Sequence, residues 1–93
     1  DLCHDSLDKK HALRQAGYMR IYCPAYLLPI VADYALRCKD NDIRKALLDV
    51  MGWHHMAYTS NVCLEAARKI EADTTLPQDV RDEAKKTMKR ILY

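Results

Sequence analysis

Apolar positions recur at Ile43, Ala46, Leu47, Val50 and Met51, and His54 extends the series i, i+3, i+4, i+7, i+8, i+11. That spacing is one face of an α-helix. Val80, Ala84, Thr87, Met88 and Ile91 form a second stripe. Its helix opens at Pro77 with Asp79, Asp82 and Glu83 early and Lys85, Lys86, Lys89 and Arg90 late, an order that complements the helix dipole. Cys63, Ala66, Ala67 and Ile70 mark a third helix with Thr59 and Ser60 as its caps. Ala12, Leu13, Ala16 and Met19, following a cap at Ser6, mark a weaker first helix. The segment from Leu27 to Leu36 is apolar nearly all round, with only Asp33 polar, so its helix is expected to be covered on more than one side and to be the central element. Pro29 begins or kinks that helix, because proline lacks the amide proton of an interior turn. The pattern predicts five helices, near 6–20, 25–38, 42–56, 60–73 and 77–92.

Short connections make successive helices antiparallel neighbours, so the predicted chain is a series of hairpins. It also repeats. A shift of 35 residues aligns Lys9 with Arg44, Leu13 with Leu48, Gly17 with Gly52, Tyr18 with Trp53 and Ala32 with Ala67. A shift of 37 aligns Asp42, Ile43 and Arg44 with Asp79, Val80 and Arg81. A period of this size with two helices per unit points to stacked repeats.

The stretch LLPIVADYALRCKDNDIRKALLDVMGW resembles one HEAT repeat. The resemblance lies in the Leu27-Leu28-Pro29 opening of its first helix, the Asp-x-Arg element at Asp42 and Arg44, Ala46, and the Val50-Met51-Gly52 close of its second. A looser copy runs from Val62 to Leu92, and Leu7 to Gly17 is similar to the second helix of a preceding unit. The resemblance covers nearly the whole chain as a half repeat over 1–22 and repeats over 23–57 and 58–93. It implies an all-α fold, a right-handed α-α superhelix or α-solenoid of antiparallel helical hairpins. It also implies a concave surface lined by second helices, with Arg44 and Arg81 tying neighbouring repeats together.

Composition narrows the function classes. Of the 93 residues 49% are hydrophobic and 30% charged, with two glycines and three prolines, a soluble helical balance that supports one domain. The longest apolar run, Ala25 to Ala32, is far below the roughly 20 residues of a membrane span. The chain opens with Asp1, so it reads as a piece from which any targeting segment is absent. Net charge is +2 with acids and bases interspersed, which argues against nucleic acid as partner. Cys3, Cys23, Cys38 and Cys63 offer no C-x-x-C pair and no shared helix face, so all four are expected to be reduced thiols and not metal ligands. Reduced thiols lean weakly towards a cytoplasmic setting.

Candidate chemistry is sparse. His54 and His55 point about 100° apart on a helix and cannot easily grip one ion, so capping and packing at the helix end is the preferred reading. The iron-binding hydroxylases of HEAT-like architecture carry repeated His-Glu pairs, and HEAT-like DNA glycosylases a strongly basic concave surface; this chain has neither. No Gly-rich phosphate loop or supported Ser-His-Asp set occurs, and no cofactor or catalytic residue is expected. The remaining candidates are aromatic and basic. Tyr18 with Arg20, and Trp53 with His55, end successive second helices and form a repeated edge suited to a protein partner. The reading preferred for the two rings is packing, as plugs between helices at the hairpin turn. The expected function is a protein-interaction scaffold; the alternative is a non-catalytic C-terminal helical accessory domain of a larger enzyme such as a peptidase.

Overall fold

The computed structural model describes residues 9–54 and 60–92, and among these it is all-helical. Its elements are α1 (Lys9–Ile21), a 3-10 turn (Ala25–Leu27) that leads into α2 (Leu28–Arg37), α3 (Asn41–His54), α4 (Ser60–Ala72) and α5 (Gln78–Leu92). The helix bounds agree with the apolar stripes to within a few residues. Pro29 sits in the first turn of α2, where its missing amide proton costs nothing, so it begins the helix. The cap of α3 is Asp40, one residue before the helix: its Oδ1 accepts the amide protons of Asp42 and Ile43 at 2.9 and 3.2 Å. Ser60 is the first described residue of α4. Ser6 and Thr59 lie outside the described residues.

The helices pack in two rows. One row is α1, α3, α5 and the other α2, α4, with α2 against α3 and α4 against α5. The Cα trace measures 36 × 31 × 16 Å, the short dimension being about two helix layers at the usual 8–10 Å spacing. The row of three runs parallel, because bridges join like ends. Lys9 reaches Asp42 (2.7 Å) and Lys45 reaches Asp79 (2.8 Å) at the N-terminal ends, while Arg20 and Arg90 both reach Asp49 (2.9 Å each) towards the C-terminal ends.

The central helix is α3 and not α2. It touches all four other helices and buries Ile43, Arg44, Leu47, Leu48, Val50, Met51 and Gly52. In α2, Ile30 is exposed on one side, and Leu36 is part-exposed at the open groove that faces α4. Apolarity all round is therefore met in α2 by partial exposure, since a two-row stack gives an outer helix no cover on its far side.

Arg44 and Arg81 bond within their own hairpins, and Arg44 also acts on the next one, since after the bonds from Thr75 its charge helps hold the Asp73 carboxyl between α4 and α5 below its ordinary value. Arg44 Nε donates to the Ala35 carbonyl at 2.9 Å, a second guanidinium nitrogen donates to the Cys38 carbonyl, and a third meets Asn41 Oδ1 at 2.8 Å. Arg81 Nε donates to the Glu71 carbonyl at 2.8 Å. Each arginine thus satisfies the orphan carbonyls that end the helix before it, within its own hairpin. The reason is reach: both stand in the first turn of their helix, beside the hairpin loop. Beside the shared apolar core, one hairpin is joined to the next by the lysine–aspartate bridges, the Arg20 and Arg90 bridges to Asp49, and the buried bond from Thr87 Oγ1 to the Leu48 carbonyl at 2.7 Å.

These bridges set a pH response. Hydrogen bonds from Lys45 and the field of that ammonium hold the Asp79 carboxyl below its ordinary value. Burial pushes Asp40 upward, but the Ile43 amide, Lys9 and the Asp42 amide outweigh it and hold it low. A carboxyl whose folded pKa is depressed adds stability above its unfolded pKa of about 3.9, and that contribution is lost as pH falls through the folded value. Lys9 and Lys45 are raised, chiefly by their bonds to Asp42 and Asp79, so their contribution is lost only as pH rises through their folded values. Urea midpoints should therefore fall below about pH 4, and Asp79→Asn should flatten that fall while changing little at pH 7, as expected of exposed pairs.

The two glycines, equivalent in the 35-residue register, meet different surroundings. A Cβ on Gly17 would find nothing within 4 Å, whereas one on Gly52 would lie 3.0 Å from Arg90 Cδ and 3.6 Å from Thr87 Cα. Gly17→Ala should raise stability by about 0.5–1 kcal/mol through helix propensity alone. Gly52→Ala should forfeit that gain by displacing Arg90. Thermal melts of the two variants check the difference.

Candidate interaction surface

The last turns of α1, α3 and α5 come together around one carboxylate. Asp49 lies one helical turn before Trp53 on α3, and the indole Nε1 donates to Asp49 Oδ1 at 3.1 Å. Arg20 Nε from α1 and Arg90 Nη1 from α5 bind the two carboxylate oxygens at 2.9 Å each. The guanidinium carbons of Arg20 and Arg90 stand 5.3 and 4.7 Å from the indole centroid, inside cation–π range. Gly52 keeps the α3 surface low enough for the Arg90 stem to pass. His54 Nε2 contacts the Arg20 carbonyl, so this imidazole caps the end of the neighbouring helix α1, not its own.

Exposed apolar side chains stand at the end of α1, in the turn after it and at the end of α3. Tyr18 is 60% exposed, Ile21 80%, Tyr22 74%, Tyr26 72% and Trp53 53%. The Tyr22 amide bonds the Tyr18 carbonyl at 2.9 Å, which carries the helical register of α1 one residue further and keeps both tyrosines on one side. Arg20, Ile21 and Trp53 line a shallow recess of about 220 Å³.

Of the residues singled out in the sequence, Arg20 and Trp53 meet, whereas Tyr18, two positions before Arg20 on α1, is turned to the other side of that helix. His55 lies outside the described residues. The packing role preferred for the two rings does not hold: both are more than half exposed. The interhelical space at this end is taken by Asp49 and the arginines that bridge to it, so the indole lies against the guanidiniums instead of between helices. Sequence reasoning missed Asp49 and Arg90. Both carried a signal: Asp49 is four residues before Trp53, and Arg20, His55 and Arg90 follow each other at the 35-residue shift.

Elsewhere, a groove of about 430 Å³ runs between α2 and α4, with Pro29, Leu36, Val62 and Ala66 in its lining and Asp33, Glu65 and Lys69 at its polar positions. It contains none of the sequence candidates. Among the described residues no three His, Cys, Asp or Glu side chains converge on a metal-sized site. Among the described residues no helix is long and apolar enough to cross a membrane.

Cys23, Cys38 and Cys63 are free and buried, and Cys3 lies outside the described residues. Burial, with a smaller contribution from Cys23, pushes the Cys63 thiol up to about 11, and burial also raises Cys23. Thiolate is the reactive form, so these groups should be inert near neutral pH. In a Cys3→Ser chain, Ellman's reagent should label Cys23, Cys38 and Cys63 only after unfolding in guanidinium; prompt labelling of the folded chain would contradict the burial.

No protein-family model, curated protein or solved structure matches the chain.

Proposed function

We propose that the chain is a non-catalytic interaction scaffold whose binding edge is the exposed aromatic surface at the C-terminal ends of α1 and α3. The observation that carries this reading is the half-exposed Trp53 indole beside Ile21 and a preset pair of arginines, with Tyr18, Tyr22 and Tyr26 also more than half exposed along α1 and the turn after it. Apolar area gathered in this way marks sites that another surface covers. Tyrosine, tryptophan and arginine are also the residues most often found as interface anchors. The partner on this reading is a protein.

We read the two hairpins, α2–α3 and α4–α5, as consecutive HEAT-like units of a right-handed α-solenoid. The same lysine–aspartate bridge made twice, from Lys9 to Asp42 and from Lys45 to Asp79, supports that reading, as does the two-row packing. The outward face of α5, with Asp82, Lys85, Lys86 and Lys89 exposed, is charged. The apolar edge therefore belongs to the α1 side.

A photo-crosslinking residue at Tyr22, compared with one at Lys69 on α4, tests the proposal in an extract of the source cells. A protein crosslinked from position 22 and not from position 69 is the expected result. Equal crosslinking from both positions, or none from Tyr22, overturns it. An accessory domain of a larger enzyme would give an intramolecular crosslink from Tyr22 to a neighbouring domain.

A further inference from the structure

The C-terminal ends of the three-helix row carry a surplus of cations. At the N-terminal ends Asp40, Asp42, Asp79, Asp82 and Glu83 are matched by Lys9, Lys10, Arg44, Lys45 and Arg81. From Lys9 to Ile21, α1 has no acidic residue, α5 has none after Glu83, and Asp49 is the one acid of α3 after Asp42. The C-terminal ends present Arg20, His54, Lys89 and Arg90 against that single carboxylate. Electrostatic complementarity selects an acidic partner for such an end.

The cluster also fixes where the acid would sit. Among the described residues the Arg20 side chain is bound through Nε to Asp49 and is 54% exposed, which turns its outer guanidinium edge to solvent. Asp49 and the indole hold that fork in place before any partner arrives, so little side-chain freedom is lost on binding. Carboxylates pair with a guanidinium edge through two parallel hydrogen bonds. Directly beside the fork, the recess between Ile21 and Trp53 is apolar on both walls and has room for one bulky aliphatic side chain.

Resting on the interaction reading above, we infer that the Arg20–Trp53–Arg90 edge takes an acidic protein segment. One of its carboxylates binds the outer edge of Arg20, and a neighbouring leucine-like side chain enters the recess beside Ile21. A polyphosphate is the poorer fit. Nucleic-acid backbones seek an uninterrupted row of cations, whereas here Asp49 stands between the two arginines and Ile21 offers only hydrocarbon.

Trp53 is the single tryptophan of the chain, so its emission reports on the site directly. The whole chain is titrated with a blocked peptide alternating glutamate and leucine, with its glutamine–leucine counterpart, and with single-stranded oligothymidylate, all at low salt. The glutamate peptide should change Trp53 emission and bind at least tenfold more tightly than the glutamine peptide. Arg20→Gln should weaken it by about tenfold with an unaltered melting temperature. Ile21→Ser, which leaves every charge in place, should weaken it severalfold. Equal binding of the two peptides overturns the acidic preference while leaving the interaction surface standing, and so does tighter binding of the oligonucleotide. Silence towards both peptides, together with no crosslink from Tyr22, removes the inference and the reading beneath it.

Discussion

Arg44→Met should lower the unfolding free energy by about 3 kcal/mol, against about 1 kcal/mol for Arg81→Met, in urea melts at pH 7. Arg44 is 7% exposed and holds the Ala35 and Cys38 carbonyls at the end of α2. Methionine keeps much of the side-chain volume but donates nothing, so two buried acceptors lose their partner at about 1–3 kcal/mol each. Arg81 is half-buried, and its bond to the Glu71 carbonyl leaves one acceptor behind. Equal losses for the two variants would mean that the buried carbonyls find other donors, and the hairpin role assigned to Arg44 would fall with that result. A tie between repeats predicts a different signature, in which the two variants lose similar amounts because both sit at the same point of the motif.

The helices were legible because each buries a continuous stripe. Ile43, Leu47, Val50 and Met51 lie on α3 at the spacing that a core-facing surface requires, and all are buried. A stripe records how much of a helix is apolar, though not how many neighbours it has. That is why Leu27 to Leu36 looked central, whereas the position between two rows belongs to α3. The site was half legible for a related reason. A shift of 35 residues brought Tyr18 and Trp53 into register and pointed to one edge, but it treats equivalent positions as identical surroundings. Among the described residues Gly17 has open space where Gly52 has the Arg90 stem, and the residue that matches Arg90 across α1, His55, lies outside them. The Asp49 hub depends on three helices at once, so the Asp49–Trp53 spacing within α3 and the 35-residue recurrence through Arg90 each carried one part of it and neither the whole.

Leu47→Ala should cost about 3–5 kcal/mol, and Leu36→Ala less than about 1 kcal/mol. Leu47 is fully buried on the helix that touches all four others, so no wall of the cavity can move inward without disturbing a second contact. Leu36, at the open groove between α2 and α4, is 38% exposed, and water fills the place of the lost methyl groups there. Domains of this size unfold with free energies of about 5–15 kcal/mol, and each kcal/mol moves the melting temperature by about 4–8 °C, so the Leu47 variant should melt at least 12 °C or so lower while the Leu36 variant stays within a few degrees. Circular dichroism at 222 nm during heating reads both. The opposite order, with Leu36 the costlier loss, would return α2 to the centre of the molecule. The two-row arrangement, and with it the placement of Trp53 on a free edge, would then be wrong.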